Sequence, residues 1–116
     1  MLEDNVPFKE TWRAMEKLVA EGLVRNIGVC NMGTAMLRDL LYYAKIKPTV
    51  LQVEIHPYNT QEKLLRFCRS KGIAVTAFSN LGAGSYVSLG MSTIEESCLK
   101  EQTVIEISKK HNKTPA

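Results

Sequence analysis

Apolar positions along this chain recur at two spacings, and the change from one to the other outlines its elements. Phe8, Trp12, Met15 and Val19 fall at helical intervals, so Pro7–Glu21 is predicted to be an amphipathic helix with Gly22 suited to its C-terminal cap. A continuous apolar strand, Val24–Val29, follows at once and breaks into Cys30, Asn31 and Gly33. Thr34 can cap a second helix, whose stripe is Met36, Leu37, Leu40, Leu41 and Ala44. Lys45 and Lys47 suit its C-terminal end, and Pro48 prevents continuation. Val50–Ile55 is the second strand. Asn59 or Thr60 is predicted to cap a third helix, with Glu62 at capping-box spacing from Asn59. Leu64, Leu65, Phe67 and Cys68 form its buried side, and Gly72 stops it. The third strand is Ile73–Phe78. Ser79–Cys98 has no clean period and reads as a long loop, a feature that is usually functional in an α/β protein. Ser97 opens a last helix with Val104, Ile105, Ile107 and His111 near one face.

Three times, then, an apolar run ends abruptly in small or polar residues before a new helix. Ile27, Leu51 and Val75 mark the strand centres. This is the pattern of βα units in a parallel sheet, where binding groups gather at the C-terminal strand ends. Three buried-type parallel strands, with neither edge guarded by charge or proline, are expected to be an arc of a larger sheet.

The chain has 116 residues, 45% hydrophobic and 23% charged, with a net charge of +3. That is ordinary globular composition for at most one domain, and without a basic cluster it gives no case for nucleic acid or a membrane surface. No apolar run is long enough to span a bilayer, and Met1–Asn5 has no signal-peptide character. Cys30, Cys68 and Cys98 are an odd number, far apart and in core-like contexts. They read as reduced thiols of a cytoplasmic protein, and with two histidines they match no zinc spacing.

The segments TWRAMEKLVAEGLVRNIGVCN, QVEIHPYNTQEKLLRFCRSKGIAVTAFSNLGAG and ISKKHNKTPA together resemble the aldo-keto reductases, NADPH-dependent (β/α)8 barrels. The resemblance runs from Thr11 to Ala116 and is weakest over Ser85–Cys98. The link YYAKIKPTVLQVE is similar to the sugar and sugar-phosphate reductase branch. The resemblance implies that residues 1–116 are a partial domain spanning the fifth to seventh βα units, an α/β arc of an incomplete TIM barrel with three strands and about four helices. It implies reversible hydride transfer between NADPH and the carbonyl carbon of an aldehyde or ketone, a sugar among the substrates.

The same resemblance assigns site residues. Asn31 and Gln52 match the pair that holds the nicotinamide carboxamide, whose donors and acceptor an amide side chain can complement. Taken alone, Asn31 reads more readily as a turn former or helix cap, whereas a Gln inside an apolar strand needs a partner. Cys30 stands where the family has Ser, and a thiol is a weaker donor. Phe78 matches a Tyr that stacks on the nicotinamide ring, and its other reading is core packing. Ser79, Leu81 and Gly82 open the loop that wraps the pyrophosphate, although Asn80 replaces a Pro there. Glu54 and His56 share a strand face and could be an acid–base pair; the structural reading, a mutually satisfied polar pair, is favoured. Trp12 is assigned to packing.

The family's catalytic Asp, Tyr, Lys and His have no counterpart here. His56 is not that His, and Tyr42, Tyr43, Tyr58 and Tyr86 do not match the proton donor. The eighth strand and the basic segment for the 2′-phosphate would lie beyond Ala116. Two functions follow as expectations: an oxidoreductase represented by an incomplete, inactive chain, or a non-catalytic barrel remnant that pairs with another chain. The open sheet edges also imply self-association.

Overall fold

The computed structural model describes residues 5–82 and 84–116, and Ala83 within the predicted pyrophosphate loop lies outside them. The elements are α1 (Phe8–Ala20), β1 (Gly28–Cys30), α2 (Thr34–Tyr43), β2 (Val50–Glu54), α3 (Glu62–Lys71), β3 (Ala74–Phe78), α4 (Gly84–Ser88), two 3-10 turns (Ile94–Glu96 and Cys98–Lys100) and α5 (Gln102–Lys110). The strands form one sheet in the order β1-β2-β3. β1 and β2 are parallel, with Gly28 opposite Val50 and Cys30 opposite Gln52. Bonds from Ala74 N to Thr49 O and from Ile55 N to Phe78 O run in the same sense along both chains, as a parallel β2–β3 pair requires.

Two compact units divide the chain. The first comprises residues up to Val53 together with Glu62–Thr76; the second comprises Glu54–Gln61 and Ala77–Ala116. In the first, the predicted helical stripes are buried in part, while Phe8 and Met36 stay exposed. Trp12, Leu37, Leu40, Leu51 and Cys68 are fully buried there, with Ile27, Met32, Val53, Leu64 and Ile73 close behind. The Trp12 indole N–H donates to Ile46 O at 3.1 Å. A Glu16 carboxylate oxygen accepts from Lys45 N and Ile46 N at 2.7 and 2.9 Å, tying α1 to the link before β2. In the second unit the buried residues are few, chiefly Cys98 and Ser108.

Several expectations need correction. The first strand does not begin at Val24. The N–H groups of Leu23 and Val24 both bond Leu18 O behind Gly22, whose φ is +72°, so these residues close α1 and stay exposed. Gly33, not Thr34, precedes the first residue of α2, and no side chain caps it. Asn59 does not cap α3; its side-chain amide donates to Glu54 O at 3.1 Å. Ser97 caps the 3-10 turn Cys98–Lys100 by accepting from Leu99 N, and α5 starts only at Gln102. Ile107 is exposed while Ser108 is buried, so the inner face of α5 is rotated from the predicted one. The long loop holds α4 and both 3-10 turns. Cys30 is exposed, not core-like. The strands are not buried on both sides either: Leu51 and Val53 are covered, but Gln52, Cys30, Ala74 and Thr76 are exposed.

Candidate functional site

In the first unit the site grows from a close strand pairing. A Cβ on Gly28 would stand 2.7 Å from Val50 O, so only glycine permits this approach. Two residues further on, Cys30 pairs with Gln52 on the bare face of the sheet. Asn31 N then donates to Gln52 O at 2.9 Å, and Asn31 turns the chain away with φ 55°, a left-handed conformation that Asn tolerates. The turn-forming reading of Asn31 is therefore correct for its backbone. Its side chain and that of Gln52 are exposed and have no hydrogen-bond partner among the described residues. Cys30, Gln52 and Thr76 share a cavity of about 540 Å³ whose apolar wall includes Phe8, Trp12 and Met15. The Gln52 amide offers donors and an acceptor beside this apolar wall. Asn31 adjoins this cavity through its backbone bond to Gln52 but does not line it.

In the second unit Phe78 and Ser79 are half-buried at the end of β3. Ser79 has φ 53°, so this strand too ends on a non-glycine residue in the left-handed region, a conformation that concentrates at functional sites. Ser79 O accepts from Gly82 N at 2.9 Å, which closes a tight turn around the exposed Asn80 and Leu81. Gly82 has φ +72°, and a Cβ on it would lie 2.8 Å from the Cys98 sulfur. Both the backbone and the space require glycine. Leu81 and Gly82 line a cavity of about 600 Å³ with His56, Tyr58, Tyr86 and Ile94.

The Glu54–His56 pair is satisfied within the protein, as its structural reading holds. His56 Nε2 lies 3.0 Å from one Glu54 carboxylate oxygen, and the Tyr86 hydroxyl donates to the other at 3.0 Å. That bond to a carboxylate raises the Tyr86 pKa above 10.0. The Tyr58 hydroxyl, bonded to Glu101 at 2.8 Å, is raised for the same first reason. Glu96 closes a capping box with Thr93, and the Thr93 backbone N–H holds its carboxyl below 4.5. Burial pushes the Cys68 thiol up. No group of three metal-ligating side chains occurs among the described residues.

Each predicted residue thus has a place within its own unit: Cys30, Asn31 and Gln52 together in the first, Phe78, Ser79, Leu81 and Gly82 on one short stretch in the second. Sequence reasoning missed Thr76 on the bare sheet face. It also missed that Tyr86 and Cys98 converge on the Glu54–His56 pair. Period-two alternation could have found Thr76, which faces the same way as Gln52 does on its own strand. No local signal could have found the other two, which lie 32 and 42 residues from their partners.

The aldo/keto reductase family profile matches residues 2–115. The chain is 47% identical over 114 residues to the NAD(P)H-dependent D-xylose reductase of Pachysolen tannophilus, covering 97% of this chain and 36% of that protein. It is 46% identical over 115 residues to the NADPH-dependent D-xylose reductase of Meyerozyma guilliermondii, again covering 36% of the relative. Among solved structures it superposes on an aldose reductase from Giardia lamblia with a TM-score of 0.82 at 42% identity, over 99% of this chain and 35% of that one. An aldose reductase from Schistosoma japonicum gives 0.78 at 38% identity, over 97% and 33%. The chain therefore spans about a third of the length of the relatives it matches. Over that span the sequence and the βα succession agree: the chain belongs to the aldo/keto reductase family, whose TIM-barrel fold it represents as an unclosed arc of parallel strands.

Proposed function

We propose that this chain is the nicotinamide-cradling part of an NADPH-dependent reductase that converts an aldehyde or ketone, sugars among them, to an alcohol. The observation that carries this reading is the junction of β1 and β2, where Asn31 is bonded through its backbone to Gln52 and both side-chain amides have no hydrogen-bond partner among the described residues. Asn31 and Gln52 orient the carboxamide with paired donors and acceptors. Cys30 stands beside them as a weaker donor than the Ser it replaces. Within the second unit taken by itself, Phe78 offers a ring face of the kind that stacks on a flat ring, and Ser79, Leu81 and Gly82 offer a hydroxyl and backbone N–H groups of the kind that hold a pyrophosphate. The bound cofactor supplies the hydride.

This chain has no group matching the family's proton donor, so by itself it is inactive. General acid catalysis alone is worth about a hundredfold to ten-thousandfold. The free thiols favour the cytosol as its location. The free edges of β1 and β3 favour self-association, which size-exclusion chromatography measures.

A chimera tests the cofactor reading: the matched segment of a full-length xylose reductase is replaced by this chain. The chimera should bind NADPH, and Asn31→Ala and Gln52→Ala should each loosen binding. Unchanged dissociation constants in both variants would remove the cradle. The 116-residue chain itself should not oxidise NADPH in the presence of xylose.

A further inference from the structure

The Glu54–His56 pair continues beyond itself to a thiol. Glu54 holds His56 Nε2 at 3.0 Å through one carboxylate oxygen, and Tyr86 steadies the other oxygen at 3.0 Å. A carboxylate only accepts, so Nε2 donates to it, and in the neutral ring Nδ1 then presents its lone pair. That lone pair faces the Cys98 sulfur at 4.0 Å, the long end of a hydrogen bond to sulfur. The order is nucleophile, base, and a third group that orients the base. Residues on both sides of Cys98, Ser97 and Leu99, line the cavity of about 600 Å³, as do His56 and Gly82. A Cβ on Gly82 would lie 2.8 Å from the sulfur, so glycine packs directly against it and Cys98 stays buried beside the cavity.

From this arrangement we infer that Cys98 is a reactive thiol, served by His56 as its base, that is oxidised by small hydroperoxides. As the sulfur attacks the outer peroxide oxygen, an S–O bond forms and the O–O bond breaks. The thiol proton passes to His56 Nδ1 and from there to the departing oxygen, which leaves as water or an alcohol. The sulfur loses two electrons to become a sulfenic acid, and the peroxide gains them. Cys98 is only 3% exposed, so the site takes the smallest electrophiles and excludes bulky ones.

The other two cysteines are internal controls. Cys30 is exposed but has no hydrogen-bond partner among the described residues, and Cys68 is buried with its pKa raised by desolvation. Exposure alone predicts that Cys30 reacts first. The experiment treats the full chain with hydrogen peroxide, traps sulfenic acid with a cyclic 1,3-diketone, and follows each cysteine by peptide mass spectrometry. Cys98 should be trapped about tenfold faster than Cys30 or more, as general-base assistance allows. In denaturant that lead should vanish. His56→Gln should slow Cys98 and leave Cys30 unchanged, with folding checked by circular dichroism. Cys30 leading in the folded chain, a ranking that survives denaturant, or an unaltered Cys98 rate in folded His56→Gln would each overturn the assignment. Should His56→Gln not fold, the comparison of folded and denatured wild-type chain decides by itself.

Discussion

The two units of this chain are held together by different physics. The first buries Trp12, Leu37, Leu40, Leu51 and Cys68 completely and leaves its candidate binding residues on a bare sheet face. The second buries little apolar surface and relies on polar bonds between side chains: Tyr86 to Glu54, Glu54 to His56, Tyr58 to Glu101, and the Thr93–Glu96 capping box. Apolar burial is non-directional and scales with area, whereas a hydrogen bond is directional and modest once water's competition is subtracted. Truncating a large side chain should therefore dominate in the first unit. Protonation should matter more in the second.

Trp12→Ala gives the largest expected effect. It removes the biggest buried side chain together with the indole bond to Ile46 O, and buried Trp truncations cost about 3–5 kcal/mol. The urea midpoint of the first unit measures it. A small shift would mean that α1 is not part of the core. Gly28→Ala comes next. Its Cβ would meet Val50 O at 2.7 Å, within the β1–β2 pairing, and overpacking of this kind costs about 1–3 kcal/mol. Hydrogen exchange at Asn31 N should rise in the variant, because that amide bonds the same partner strand.

The second unit should answer to pH from both sides. The Glu96 carboxyl is depressed by the Thr93 backbone N–H, so its contribution is present above its ordinary pKa of 4.5 and is lost as pH falls through the lower folded value. Tyr86 and Tyr58 are raised by bonds to Glu54 and Glu101, so theirs are present below the ordinary pKa of 10.0 and are lost as pH rises through the folded values. Amide protection factors in the second unit should fall at both extremes, and Tyr86→Phe should remove one late-titrating phenol from the alkaline absorbance curve. A second unit indifferent to both extremes would erase the contrast between the two.

This contrast also explains what could be read in advance. The spacing of Trp12 and Met15, and of Leu37 and Leu40, carries the fold of the first unit, because helical periodicity and burial are two views of one constraint, while Phe8 and Met36 keep the spacing and stay exposed. Strand limits were less legible. Leu23 and Val24 look like strand residues, yet their amides serve the end of α1, a local hydrogen-bond choice that hydropathy does not encode. Gln52 stood out because an amide among Leu51 and Val53 is anomalous. Cys98 and Tyr86 did not, because their partners are distant in sequence and their own neighbours carry no period.

The smallest expected effect lies at Cys30, at the C-terminal end of β1. Cys30 is exposed and pairs with Gln52 only through the backbone register, so Cys30→Ser should leave the stability of the first unit unchanged. In the chimera it should tighten NADPH binding, since a hydroxyl is the better donor to a carboxamide. A net hydrogen bond of about 0.5–1.5 kcal/mol corresponds to a gain of a few-fold to about tenfold. Asn31→Ala and Gln52→Ala should shift affinity the other way while also sparing stability. The comparison between units is sharpened when the three substitutions move affinity without moving the melting temperature, because the residues that hold a ligand are then distinct from those that hold the fold. It breaks if Cys30→Ser changes the melting temperature and not the affinity, for the bare face would then be a structural surface and the amides at its end a turn and nothing more.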